Sequence, residues 1–409
     1  MTATATAADQ APLDFNPLSP DFIRDPYPFY HRLRAHAPVF HTPVGFYLVS
    51  RYEDAAAVLR DKRFGKSFDN RIIQRFGPNA FNEPVVQSAR HWMLEQNPPD
   101  HTRLRGLVAK AFTARTVEDM RPRIQQIVDA TLDRVAPNGQ MDVMREFAYH
   151  LPVIVICEML GIPEEDHAMF LENAGKGGRL LDPVALSREE LDQANAGHLA
   201  QAAYFKRLFD LRRREPGDDL TTHLVQAEEE GSKLSEAELT ANIMLLFGAG
   251  HETTVNLIGN GLLALHRNPD QLDLLKRDPS LMPHAIEEML RYDSSVQMTG
   301  RTTLDDVEIG GVEIARGNSV LCLLGAANRD PAMFPDPDRL DITRPNVRPL
   351  SFGGGIHFCL GAQLARIEGE IALNSLLARL PDLRLDAPDT PSWRPTFVLR
   401  GLTSLPAHW

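Results

Sequence analysis

The stretch that most restricts what this chain can fold into is Ser351-Phe352-Gly353-Gly354-Gly355-Ile356-His357-Phe358-Cys359-Leu360-Gly361, which runs directly into the helix-like Ala362-Gln363-Leu364-Ala365-Arg366. Three glycines permit a sharp turn and the close approach of a large group. Cys359 stands just before a helix start, where unpaired N–H groups and the positive end of the helix dipole favour a thiolate. A single thiolate on a platform cleared by glycine suits the axial position of a flat metallocofactor. It points to heme iron with a sulfur ligand and to activation of oxygen. An inert buried cysteine in a glycine-rich turn is the alternative for Cys359 taken alone.

Phe352, Gly353, Gly355, His357, Cys359 and Gly361 complete the pattern Phe-Gly-x-Gly-x-His-x-Cys-x-Gly without a gap. This loop resembles the heme-ligand loop of the cytochromes P450, of the soluble bacterial type, and the likeness extends over roughly residues 25–409. The resemblance implies a fold that is mainly α with a smaller β region (α+β), a triangular helical bundle around a buried, non-covalently held heme b. Cys359 would be the axial thiolate. It also implies a monooxygenase that inserts one atom of dioxygen into a C–H bond.

The chain has 409 residues, long enough for two or three domains, yet no linker separates two self-sufficient apolar patterns. A disordered tail over 1–15 and a single domain over 16–409 are therefore expected. Residues 1–12 are small and polar, unlike a signal peptide or membrane anchor, and the most apolar run, 243–247, is too short to span a bilayer. A cytoplasmic monomer is expected. The three cysteines show no C-x-x-C spacing, which argues against zinc, disulfides and covalent heme attachment; Cys157 and Cys322 read as inert core residues. A net charge of −12 disfavours nucleic acid as a partner.

Helical periodicity is expected over 26–37, 52–61, 101–112, 115–135, 147–160, 189–214, 235–266, 269–277, 282–292 and 360–380. A strand pair fits 38–50, a further strand-like run covers 319–324, and Gly310-Gly311 between Val307-Glu308-Ile309 and Val312-Glu313-Ile314 signals a hairpin. Two long irregular regions, 65–99 and 329–355, are expected to be functional loops.

On the helix around 243–263, Leu245, Gly248, Ala249, Glu252 and Thr253 fall on one face. That face is oily, then bare, then carries a carboxylate beside a hydroxyl, the groups needed to protonate reduced dioxygen. Ala249-Gly250-His251-Glu252-Thr253 is similar to the family's Ala-Gly-x-(Glu/Asp)-Thr motif, which implies that Thr253 orients a proton-donating water and Glu252 feeds it. The alternative is that Glu252 pairs with an arginine while Thr253 bonds back to a carbonyl. His251 reads as a packing or surface residue.

His101 and Arg105 share a helix face at i, i+4, with Arg103 and Lys110 on the opposite one. The resemblance implies that His101, Arg105, Arg301 and His357 hold the heme propionates. It also implies a buried structural triad of Glu288, Arg291 and Arg339. Electrons would come from a separate ferredoxin and its NAD(P)H-dependent reductase, docked in part on Arg103, Lys110 and Arg115. Family position places the substrate pocket at Leu245, Gly248, Ala249, Val296, Met298, Phe397 and Val398, with further residues from 68–94 and 170–186. The mostly apolar character of the groups at 245–249, 296–298 and 397–398 implies a medium-sized apolar or amphipathic substrate. A peroxide-driven peroxygenase and a non-catalytic heme-thiolate sensor are the alternatives.

Overall fold

The computed structural model describes residues 15–110, 112–173, 178–229 and 234–409. The helices that build the site are α1 (Asp100–Ala109), α2 (Arg121–Val135), α3 (His150–Met159), α4 (Arg188–Arg214), α5 (Glu236–Arg267), α6 (Met282–Tyr292) and α7 (Ala362–Arg379). Ser235 starts α5 with a capping box: its hydroxyl accepts from the Glu238 N–H, and the Glu238 carboxylate accepts from the Ser235 N–H. From Leu239 to Leu265 this helix is apolar nearly all round and covered, as a helix through the middle of a domain must be. Gly248 and Ala249 are the sole exposed residues in that interval.

One core cluster joins α2, α3, α5, α6 and α7 through side chains such as Ile124, Leu132, Val255, Ile258, Ile286 and Leu373. A second packs Phe205 and Phe209 of α4 and Leu104 of α1 against Ile243 and Phe247 of α5. Cys157 belongs to that second cluster and Cys322 to a third; both are buried, and burial pushes each thiol up to about 12.

The main sheet and its neighbouring hairpin are built from β1 (Val39–His41), β2 (Phe46–Val49), β3 (Phe64–Gly65), β4 (Met298–Thr303), β5 (Val307–Ile309), β6 (Val312–Ile314) and β7 (Ser319–Leu323), with further short strands at Gln140–Asp142, Arg384–Leu385, Ser392–Trp393, Leu402–Ser404 and Pro406–His408. The main sheet has the order β1-β2-β7-β4-β3. β2 and β7 pair in parallel, Phe46 opposite Ser319 and Val49 opposite Cys322, while the other pairs are antiparallel. Parallel neighbours need a long crossover. Here the helical body is that crossover, so the sheet is closed by segments from both ends of the chain.

Most expected helices stand within a residue or two of their predicted ends, and Gly310 and Gly311, at φ +55 and +80, make the expected hairpin. Three expectations need correction, and two further helices were not expected. The region 65–99 is not irregular: it holds helices Phe68–Phe76 and Pro84–Ala89, which bury Ile72, Val85, Val86 and Ala89 against Leu191 of α4. These helices are too short for periodicity to declare. The expected helix over 115–135 breaks at Met120 into Ala114–Asp119 and α2, with Pro122, which has no N–H, in the first turn of α2. α3 starts at His150 after a wide π turn over Val143–Ala148. Helices His167–Asn173 and Leu220–Glu229 carried no periodic signal strong enough to be expected.

Of the expected N-terminal tail, residues 1–14 lie outside the described residues, and Phe15 packs on Phe29 and Phe397 with ring centroids 5.5 Å from each. Among the described residues no helix is long and apolar enough to cross a membrane.

Candidate active site

The cysteine loop is shaped by sterics. Gly353 and Gly355 adopt φ +71 and +65, and a Cβ on Gly355 would sit 2.2 Å from the Leu59 carbonyl oxygen, so no other residue fits there. The Cys359 N–H donates to the Phe352 carbonyl at 2.9 Å, which closes the loop. The Cys359 side chain is accessible, and its neighbours Ile356 and Phe358 are 52% and 43% exposed, an apolar surface unlike the rest of the interior. Enclosure by protein pushes the thiol up, while the Gly361 N–H and the Arg105 and Arg366 guanidinium groups pull it down. Those same groups would stabilise a thiolate ligated to iron.

α7 leaves this loop and packs along α5: Leu360 joins the cluster of Ile243 and Phe247, and Gly369 lies against Leu257. On α5, a Cβ added to Gly248 would meet no protein atom within 4 Å, so protein packing does not demand glycine there. With Ala249 it leaves a bare clearing on α5. Gly250, by contrast, lies 3.0 Å from Ile156 at its notional Cβ and is a helix-packing residue.

Glu252 and Thr253 follow this clearing, and both contacts of the structural alternative are present. Arg394 Nη1 donates to Glu252 Oε1 at 2.7 Å, and Thr253 Oγ1 donates to the Ala249 carbonyl at a long 3.3 Å. Burial, then the Asp182 carboxylate, push Glu252 up to about 7, while the ion pair with Arg394 at 2.7 Å favours the charged form. The acid is thus poised near neutrality. Asp182 Oδ1 in turn accepts from the Phe397 and Val398 N–H groups at 3.0 and 2.8 Å, so Asp182 and Glu252 are both tied to the short segment 394–398. His251 is a packing residue, its Nδ1 2.7 Å from the Phe247 carbonyl oxygen.

Beside the loop is a cluster of basic side chains. His101 of α1 and His357 lie ring to ring at 4.3 Å, and Nε2 of each is buried without a hydrogen-bond partner. Arg105 Nη2 donates to the Phe358 carbonyl at 2.6 Å. Arg301 of β4 is 5% exposed and donates to the Gly300 carbonyl at 2.9 Å and to Thr299 Oγ1 at 3.4 Å. Burial first, then Lys66, Arg301, His101 and Arg105, push His357 down to about 2. Buried cations facing neutral carbonyls, and orphaned imidazole nitrogens, are costly without an anion. Two propionate carboxylates on a flat macrocycle would satisfy this donor set, so the residues fit a heme.

The buried triad differs from expectation. Arg291 spends all its N–H groups: two bonds to Glu288 at 2.7 and 2.8 Å, and others to the carbonyls of Asn328, Pro337 and Arg339 at 3.1, 2.7 and 3.0 Å. The third member is Arg344, whose Nε lies 3.3 Å from Glu288 Oε1. Arg339 contributes only its carbonyl, and its side chain is exposed. Both arginines follow Pro337, and only the loop's course selects between them. This pinning orders residues 329–354, which have no helix or strand of their own.

Of the expected pocket residues, Gly248 and Ala249 present open surface and Leu245 and Val296 are half-buried. Met298, Phe397 and Val398 are buried in the core cluster of Tyr27 and Phe29, and the Phe397 ring packs on Phe15 and Phe22 instead of an open pocket. The expected outward stripe is also reduced: Arg103 is bound to Glu238 of the α5 capping box and to Asp100, which leaves Lys110 exposed, with Arg115 exposed beside Asp119.

Sequence reasoning passed over Arg394, Lys66 and Glu368, and reached Asp182 only as one residue of the pocket range 170–186. Glu368 of α7 is fully buried, neither oxygen has a well-formed hydrogen bond, and burial pushes it up to about 8, with the Thr254 hydroxyl pulling the other way. Its signal was legible: it sits one turn from Leu364 on the apolar face of α7. An acid whose folded pKa lies above its unfolded value loses stability as pH rises between the two. Glu368→Gln is therefore expected to match the parent near pH 4 and to exceed it by about 4 kcal/mol above pH 8. Urea unfolding across that range checks it; a pH-independent difference contradicts it.

A helix-terminal cysteine beside a cation cradle, in a mainly α fold whose long central helix is bared near an acid and a hydroxyl, defines a heme-thiolate protein of the oxygen-activating kind. Residues 198–279 and 278–392 match the cytochrome P450 family model. The chain is 47% identical to cytochrome P450 107B1 of Saccharopolyspora erythraea over 88% of its length and 89% of that protein's. It is 43% identical to the cytochrome P450 monooxygenase PikC of Streptomyces venezuelae, over 100% of this chain and 97% of PikC. Among solved structures, P450BioI in complex with hexadec-9Z-enoic acid ligated acyl carrier protein superposes with a TM-score of 0.89 at 41% identity, covering 96% of this chain and 100% of that one. The chain belongs to the cytochrome P450 family. It is a monooxygenase of the α+β P450 fold, with heme held by a cysteine thiolate as its cofactor and dioxygen and a small organic molecule as its substrates.

Proposed function

We propose that Cys359 ligates the heme iron, that His101, Arg105, Arg301 and His357 hold its propionates, and that Glu252 and Thr253 deliver protons on the opposite side. The carrying observation is the bare Gly248–Ala249 surface on an otherwise covered helix, leading directly into a carboxyl poised near neutrality and a loosely held hydroxyl. When bound, heme supplies the iron at which dioxygen is reduced. Thr253 gives up a 3.3 Å bond easily and can hold a water in the clearing. Glu252 can reprotonate that water, and its place between Arg394 and Asp182 keeps both protonation states accessible.

Thr253→Ala and Glu252→Gln are expected to lower product formed per NAD(P)H by about 10²-fold, with reducing power diverted to peroxide. A proton donor must be protonated to act, so product yield in the parent should fall as pH rises through about 7, and Glu252→Gln should flatten that profile. Parallel assays of product, peroxide and NAD(P)H check both; tight coupling in either variant contradicts the assignment.

The substrate in this reading is a medium-sized apolar or amphipathic molecule, hydroxylated at a C–H bond. Apolar Leu245, one turn before the clearing, supports it, as does the hexadec-9Z-enoic acid of the P450BioI complex. Electrons come from a ferredoxin and its reductase, and the enzyme works as a cytoplasmic monomer. Titration of the heme Soret band with a compound library, followed by turnover with a ferredoxin pair against peroxide alone, tests substrate and electron source together. Turnover by peroxide alone at the full rate would favour a peroxygenase.

A further inference from the structure

We infer that Lys66 is a fifth member of the propionate cradle and forms a direct ion pair with a heme propionate. Lys66 follows β3 and is 7% exposed. Its backbone is clamped to Asn97, three residues before α1: Lys66 N donates to Asn97 Oδ1 at 2.8 Å, and Asn97 Nδ2 donates back to the Lys66 carbonyl at 2.7 Å. The ammonium, on a short tether, donates to the Gly300 carbonyl at 3.0 Å. Arg301 Nη1 donates to the same oxygen at 2.9 Å. Two buried cations thus converge on one neutral acceptor, an arrangement that repels itself unless an anion is shared between them.

Lys66 also lies among the orphaned imidazoles. It is the charge that most depresses His357, and it depresses His101 as well. Glu95, the carboxylate whose charge reaches it, is already paired with Arg71 at 2.7 Å. Desolvation, with Arg301 and Arg71 adding to it, outweighs Glu95 and pushes the ammonium down to about 7. A propionate would remove that frustration, restoring the charged form and satisfying a buried donor in one contact.

The inference rests on heme being the cofactor, which the Soret band of the purified holoenzyme reports independently of Lys66. In holoenzyme carrying heme b, Lys66→Met should speed heme transfer to an excess of apomyoglobin by about tenfold or more, the scale of a charged hydrogen bond. It should also make the reduction potential more negative, since a cation beside the porphyrin is lost. Lys66→Arg should stay within about threefold of the parent. In holoenzyme carrying the heme dimethyl ester, which has no propionate charge, Lys66→Met should change the transfer rate little. An equal acceleration with both porphyrins would mean that Lys66 acts only through β3 and Asn97, and an unchanged rate with heme b would mean that it makes no such contact; either result overturns the inference.

Discussion

Cys359→Ser is expected to abolish monooxygenation, a loss on the order of thousandfold or more, while leaving the fold in place. The loop's shape rests on Gly353, Gly355 and the bond from the Cys359 N–H to Phe352, none of which involves sulfur. The Gly361 N–H and the Arg105 and Arg366 guanidinium groups would remain to receive a hydroxyl. What disappears is a ligand that can carry full negative charge and push electron density toward the metal. The ferrous carbonyl spectrum should lose its thiolate signature, and product should fall to background at unchanged melting temperature. Substantial turnover by the serine enzyme would refute the assignment of Cys359.

The second large effect concerns stability. Arg291 and Glu288 are both fully buried, and removing one member of such a pair strands the other in a medium of low polarity. Glu288→Gln and Arg291→Leu are each expected to destabilise by about 3–5 kcal/mol, read as a shift in the urea midpoint, with loss of heme following the loss of order in residues 329–354. Arg344→Ala should cost about 1–3 kcal/mol, since it removes one of the donors to a buried carboxylate and the bonds that hold the carbonyls of Pro335, Asp336 and Arg339. Arg339→Ala should stay within about 0.5 kcal/mol of the parent. Equal costs at Arg339 and Arg344 would contradict the hydrogen-bond pattern.

How much of this was legible in the chain depends on the range over which each property is decided. The cysteine loop, the Gly310–Gly311 hairpin and the face shared by Gly248, Glu252 and Thr253 depend on residues within a turn or two of one another. Turn sterics and helical periodicity act over that distance, so one linear reading reaches them. The correspondence of Glu252 and Thr253 to an acid–hydroxyl pair was legible for the same reason.

The partners of those residues were not. Arg394 reaches Glu252, Arg344 and not Arg339 completes the pair of Glu288 with Arg291, Glu238 takes Arg103 away from the surface, and Phe397 turns into the N-terminal aromatic cluster. Each choice is made by where a loop or helix lands after packing, and a lone Lys66 or Asp182 carries no local mark of the charges it will meet. Short-range geometry and periodicity are written along the chain, whereas charge pairing and desolvation depend on distances that exist only once the helices have closed around α5.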